Sequence, residues 1–178
     1  MKKILNKVLC LTLVAISLFS LTSCGKPSKL IDKSEKTIKT ANTVVTVTDD
    51  GVIAYEYGKK IVLASGDAEV TETEKTIENY ELVEKQNTTV VTEFNRSSII
   101  SLKVEKKDCK DYKFKKRVLT ATVSNAKIAK VLGVENFQAS SDMKLTVKFN
   151  KKNKVEKITF YFKLANGMDV AVIADYTY

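Results

Sequence analysis

Apolar and polar residues alternate most regularly in the last third of the chain. Met143, Leu145, Val147 and Phe149 alternate with Lys144, Thr146, Lys148 and Asn150. Past the turn Lys151 to Lys154, Ile158, Phe160, Phe162 and Leu164 alternate with Thr159, Tyr161 and Lys163. Beyond Asn166-Gly167 the apolar series resumes at Met168, Val170, Val172, Ala174, Tyr176 and Tyr178. Successive side chains on a strand point to opposite faces. The pattern therefore predicts a three-stranded antiparallel meander with one dry face and one wet face. Asn-Gly favours the positive φ angles of a tight hairpin between its last two strands.

The same period of two begins near residue 43. Val44 to Thr48 and Val52 to Tyr57 flank Asp49-Asp50-Gly51, which reads as a β-hairpin. Lys60 to Ala64 is a further apolar run, stopped by Ser65-Gly66-Asp67. Residues 67–86 are ambiguous: Val70, Thr73, Ile77 and Tyr80 fit a helix, whereas the Thr-rich composition favours strands, the reading adopted. Thr88 to Phe94 and Ser98 to Glu105 are expected to be strands around a turn at Asn95-Arg96-Ser97.

Two helices are expected. Ile31, Ser34, Ile38 and Ala41 recur at helical spacing over Ser28 to Ala41, where a flexible stalk is the alternative. Ser124 or Asn125 can cap a second, short helix with Ile128, Val131 and Leu132 on its apolar side and Gly133 at its end. The fold class is thus mainly β (α+β): a curved antiparallel sheet, half-barrel or barrel-like, with one or two short helices.

The meander's dry face carries fourteen apolar or aromatic side chains, and two short helices would not cover a long sheet. Leu145, Val147, Phe149, Ile158, Phe160, Phe162, Val170 and Val172 are therefore the candidate lining of an apolar groove. Plain core packing is the competing account, because alternating apolar faces are as a rule packed faces.

The first residues differ in kind. Lys2, Lys3 and Lys7 precede an apolar run from Val8 to Leu21, which is shorter than the roughly 20 residues of a spanning helix. Leu21-Thr22-Ser23-Cys24 follows. This start resembles the signal and lipobox of bacterial lipoproteins. The resemblance implies a diacylglyceryl group on the Cys24 thiol, cleavage between Ser23 and Cys24, and residence on the extracytoplasmic face of the cell membrane. Two acyl chains anchor stably where one does not. The expected organisation is a signal peptide at 1–23, a lipid-anchored tether or short helix at 24–41, and a single β domain at 42–178. In element order alone, the N-terminal helix candidate, the strand series, the short helix at 125–132 and the final meander resemble the half-barrel lipid carriers of bacterial envelopes, the LolA-like and LppX-like group. That outline implies an acyl chain held on the helix-covered side of the sheet.

Removal of 23 residues from 178 leaves a mature chain of 155 with a net charge of +6. In an exported protein, a basic surface facing anionic lipid or cell wall is a simpler account than nucleic acid. The charge is also unevenly placed: residues 67–86 carry a local −5 and residues 103–117 a local +5. Those strips give the alternative function, an envelope scaffold that contacts another protein or a wall polymer through Lys113, Lys115, Lys116 and Arg117.

Candidate chemistry is sparse. The chain has no histidine, which removes Ser-His-Asp and Cys-His arrangements and the common zinc sites. It also has no tryptophan. Cys10 would leave with the signal and Cys24 would be acylated, so Cys109 has no intramolecular partner. Lys106, Lys107 and Lys110 around it would favour a thiolate, although a passive residue is the preferred reading. Ser124-x-x-Lys127 and Ser141-x-x-Lys144 match a nucleophile pattern but lack its companion motifs. The expectation is a non-catalytic protein with no cofactor and no metal. Its expected partners are the membrane through its lipid, a lipid or apolar ligand, or an envelope protein, and no nucleic acid.

Overall fold

The computed structural model describes residues 26–78, 81–96, 99–100, 102, 104–134 and 137–178. Helix α1 spans Lys26–Glu35, and strands β1 to β4 span Thr40–Asp49, Val52–Ala64, Asp67–Glu78 and Glu81–Val91. Strands β5 and β6 span Cys109–Lys115 and Val118–Val123, followed by helix α2 at Asn125–Leu132. The meander β7, β8 and β9 spans Met143–Phe149, Val155–Lys163 and Asp169–Thr177.

Among the described residues these nine strands form one curved antiparallel sheet in the order β4-β3-β2-β1-β9-β8-β7-β6-β5. It does not close, so β4 and β5 are its two edges. The expected mainly-β fold with short helices is the one found.

Register follows from the alternation. Across the centre, Leu145 lies opposite Phe160, Phe160 opposite Val172, Val172 opposite Val45, and Val45 opposite Tyr57. The row continues outward as Glu74 and then Lys85. One face of the sheet is thus dry over its middle and turns polar toward the β4 edge. Ile31, Ile128, Val131 and Leu132 from the helices, and Ile38 just past α1, join the buried residues of that face in a single core. This side is called the covered face below.

Turn chemistry sets the hairpins. Asp50 and Gly51 both adopt positive φ (46° and 82°), as the Asp-Gly signal requires. At the last hairpin only Gly167 does (89°). Its N–H bonds the carbonyl of Leu164 at 2.9 Å, so the loop has three residues, Ala165 to Gly167, rather than two.

Several expectations are corrected. The helix expected over Ser28 to Ala41 ends at Glu35, and Ala41 is already in β1, opposite Ile61 and Tyr176. The run Lys60 to Ala64 is the second half of β2. The strand expected to reach Phe94 ends at Val91. Ser98 to Glu105 is not a strand in its described residues. Instead Ile99, Ile100 and Val104 are buried in the core, where satisfying apolar contacts outweighs the β propensity of the run. Strands β5 and β6 were not foreseen. The strands that carry the acidic and basic strips lie apart, β3 and β4 at one end of the strand order and β5 at the other.

Candidate functional site

The candidate groove residues come together on the covered face and are shut in. Leu145, Val147, Phe149, Ile158, Phe160, Phe162, Val170 and Val172 range from 0 to 7% exposed. Aromatic contacts join them to one another and to their neighbours. Phe149 meets Phe114 edge-on at 5.7 Å, Phe162 meets Phe137 at 5.3 Å, and Phe160 stacks with Phe162 at 6.2 Å. In this structure the eight behave as core. Ser23 and Cys24 lie outside the described residues.

Polar groups border this face. Glu72 accepts hydrogen bonds from the Tyr57 hydroxyl at 2.7 Å and from Lys59 at 3.0 Å. Burial alone would raise the Glu72 carboxyl, but these two donors hold it below its ordinary value. On α1, burial and then the nearby Asp32 charge push the half-buried Glu35 carboxyl up to about 8, against an opposing hydrogen bond from the Ile100 backbone.

The sequence motifs resolve into structure. Ser124 caps α2 without a side-chain bond, and Asp142 does the work by accepting the Asn125 N–H at 3.1 Å. Gly133 ends that helix in the left-handed conformation expected of it, with φ 67°. The Ser141 hydroxyl accepts the Lys163 N–H at 2.7 Å, while Lys144 donates to Thr122 at 3.3 Å, so that Ser and Lys serve separate structural bonds. The Cys109 thiol donates to the Glu105 carbonyl at 3.3 Å. Burial, followed by the Asp108 charge, pushes its pKa up, opposite to the effect its neighbouring lysines suggested.

The most exposed chemistry gathers at one end of the sheet. The β5–β6 turn is the pair Lys116-Arg117, with Lys115 opposite Val118. Both turn residues adopt positive φ, 50° and 62°. Long side chains rarely occupy that region, which Asn and Gly fill at lower cost. The adjoining β7–β8 turn contains Lys151, Lys152 and Lys154. The two turns are joined, since the Phe149 N–H bonds the Arg117 carbonyl at 2.9 Å. Helix α1 meets the same corner, where the Val155 N–H bonds the Ser34 hydroxyl at 2.9 Å. Five of these six cations are exposed, and Lys154 lies over the Tyr178 ring at 4.6 Å.

The helix that meets this corner covers about 12 Å from Lys26 to Ser34, at about 1.5 Å per residue. Sequence reasoning found Lys115 to Arg117 as part of a longer strip. It did not bring in the second turn, because only the β6–β7 pairing places the two side by side.

No protein-family model and no curated protein matches the chain.

Proposed function

We propose that this is a membrane-anchored extracytoplasmic lipoprotein, non-catalytic, held by lipid on Cys24 and seated on the anionic headgroups of the same membrane through its basic corner. One observation carries the reading: two joined turns bearing Lys115, Lys116, Arg117, Lys151, Lys152 and Lys154 beside the end of α1. A long cationic pair held in left-handed backbone is costly to folding, and costs of this kind are kept where a site uses the side chains. Each cation near an anionic surface contributes on the order of 1 kcal/mol. Seated in this way, the domain presents the rest of its sheet to other envelope components.

The test separates the lipid from the charge. Intact mass of protein extracted from membranes should show a chain beginning at Cys24 with a diacylglyceryl adduct. A mature chain carrying Cys24→Ser should sediment with vesicles rich in phosphatidylglycerol and stay in solution with phosphatidylcholine vesicles. Lys116→Glu with Arg117→Glu should abolish that difference. Equal behaviour toward both vesicle types would remove the charge reading and leave the anchor untouched.

A second reading, an apolar or amphiphilic ligand on the covered face, is supported by the breadth of that face. Nine strands are covered by two helices of ten and eight residues and by the segment around Ile99 to Val104. A ligand would take the place of part of that cover. Native mass spectrometry of the protein drawn from membranes is the check. A domain that is always empty would discard this reading.

A further inference from the structure

The two sheet edges are built differently. Strand β5 is seven residues long, is bulged between Cys109 and Asp111, and carries Lys110, Lys113 and Lys115. Short, bulged, charged strands are the ordinary protection against edge-to-edge association. Strand β4 is longer, at eleven residues, has no bulge, and keeps its charges, Glu81, Glu84 and Lys85, in its first half. It pairs with β3 over eleven consecutive residues without a register shift. It has no proline, and Gln86-Asn87-Thr88-Thr89-Val90-Val91 has no charge. Nearly every β4 residue is exposed on whichever face it points to, including Leu82 at 67% and Val90 at 70%.

We propose that β4 is a homotypic docking edge, which pairs antiparallel with β4 of a second copy of this chain. A second copy of β4 matches this edge in charge and in exposed aliphatics. A two-fold axis at Gln86 overlaps the whole strand with itself, placing Glu81 opposite Val91, Leu82 opposite Val90, Val83 opposite Thr89, Glu84 opposite Thr88 and Lys85 opposite Asn87. In that register no residue faces a like charge, and the two most exposed aliphatics of the strand face one another twice. Cross-strand aliphatic and Thr pairs of this kind are the unit of sheet stabilisation. The two Lys85 side chains come near each other diagonally, but each already has a carboxylate, with Glu78 at 3.1 Å. The axis is normal to the sheet, so both covered faces, and the α1 helices on them, lie on one side of the pair. A point-group contact of this type closes on itself and adds no further copies at the same edge.

The experiment is disulfide trapping of the full-length protein in its own membranes, in a Cys109→Ser background. Gln86→Cys brings two cysteines together at the axis, and directly opposed antiparallel residues fall within disulfide range. The control is Lys113→Cys on the β5 edge. Oxidation should give a homodimer through position 86 several-fold above the control. Adding Leu82→Lys should lower the yield roughly tenfold without changing the unfolding temperature, since residue 82 makes little contact within its own chain. Equal yields at 86 and 113, an unchanged yield with Leu82→Lys, or a mixed disulfide to a different protein in place of the homodimer would each overturn the proposal.

Discussion

The hydroxyl of Ser34 accepts the N–H of Val155, 121 positions away, at 2.9 Å and donates to the Leu30 carbonyl at 2.6 Å. Ser34 is fully buried, so this one oxygen satisfies the first amide of β8 and fastens α1 to the meander. Ser34→Ala leaves a buried N–H without a partner. It should lower stability by about 1–3 kcal/mol, read as a fall in unfolding temperature. Ser34→Thr should recover part of the loss.

A second polar link holds α2. Asp108 is buried, and Lys130 donates to both of its oxygens at 2.9 and 2.8 Å. Lys130→Met strands a buried carboxylate and should cost roughly 1–3 kcal/mol. Adding Asp108→Asn should cost less than the sum of the two single changes, since each removes the same interaction. Chemical denaturation of the four-member cycle measures this.

Stability should fall as pH rises through the neutral range. The Glu35 carboxyl is raised from 4.5 to about 8 in the folded chain. Folding therefore favours its protonated form, whose contribution is complete below about pH 4.5 and is lost as pH rises through 8. The groups that face it are Asp32 on its own helix, Tyr176 on β9 and the Ile100 backbone. Glu35→Gln should flatten the slope and be more stable than the parent at pH 9 by roughly 1–3 kcal/mol, less than full linkage because the side chain is only half-buried. Unfolding curves at pH 5, 7 and 9 are sufficient.

The β5–β6 turn should trade stability against binding. Lys116→Asn with Arg117→Gly supplies residues suited to positive φ and should stabilise by about 1 kcal/mol. The same pair of changes removes two cations from the basic corner and should weaken association with anionic vesicles. A variant that is both more stable and equally well bound would detach the turn from the proposed role.

What the sequence disclosed follows from how wet each face is. The meander was legible because Met143 to Tyr178 has one buried side and one exposed side, which writes a period of two directly into the chain. Strands β3 and β4 were legible only through their threonines, since both sides of β4 meet water and no alternation results. Ile99, Ile100 and Val104 misled for the opposite reason. Apolar residues plugging a core from a loop look like a strand. The eight candidate groove residues are all buried, and whether a face is sealed depends on elements distant in sequence. Ser34 gave no signal beyond helical spacing, because its partner lies more than a hundred residues on. The second basic turn was missed for the same reason.

Strand β1 lies between β2 and β9, with Thr40 opposite both Val62 and Thr177. The seam joining the two halves of the sheet is therefore made by the first strand and the last. A chain emerging from its amino end can assemble β1 to β4 early, yet β1 keeps a bare side until residue 177 arrives. Such distant pairing is slow and leaves an unsatisfied edge open to mispairing in the interval. Shortening the chain by its final nine residues should therefore do more than trim a terminus: it should remove the strand through which the two half-sheets are hydrogen-bonded to each other.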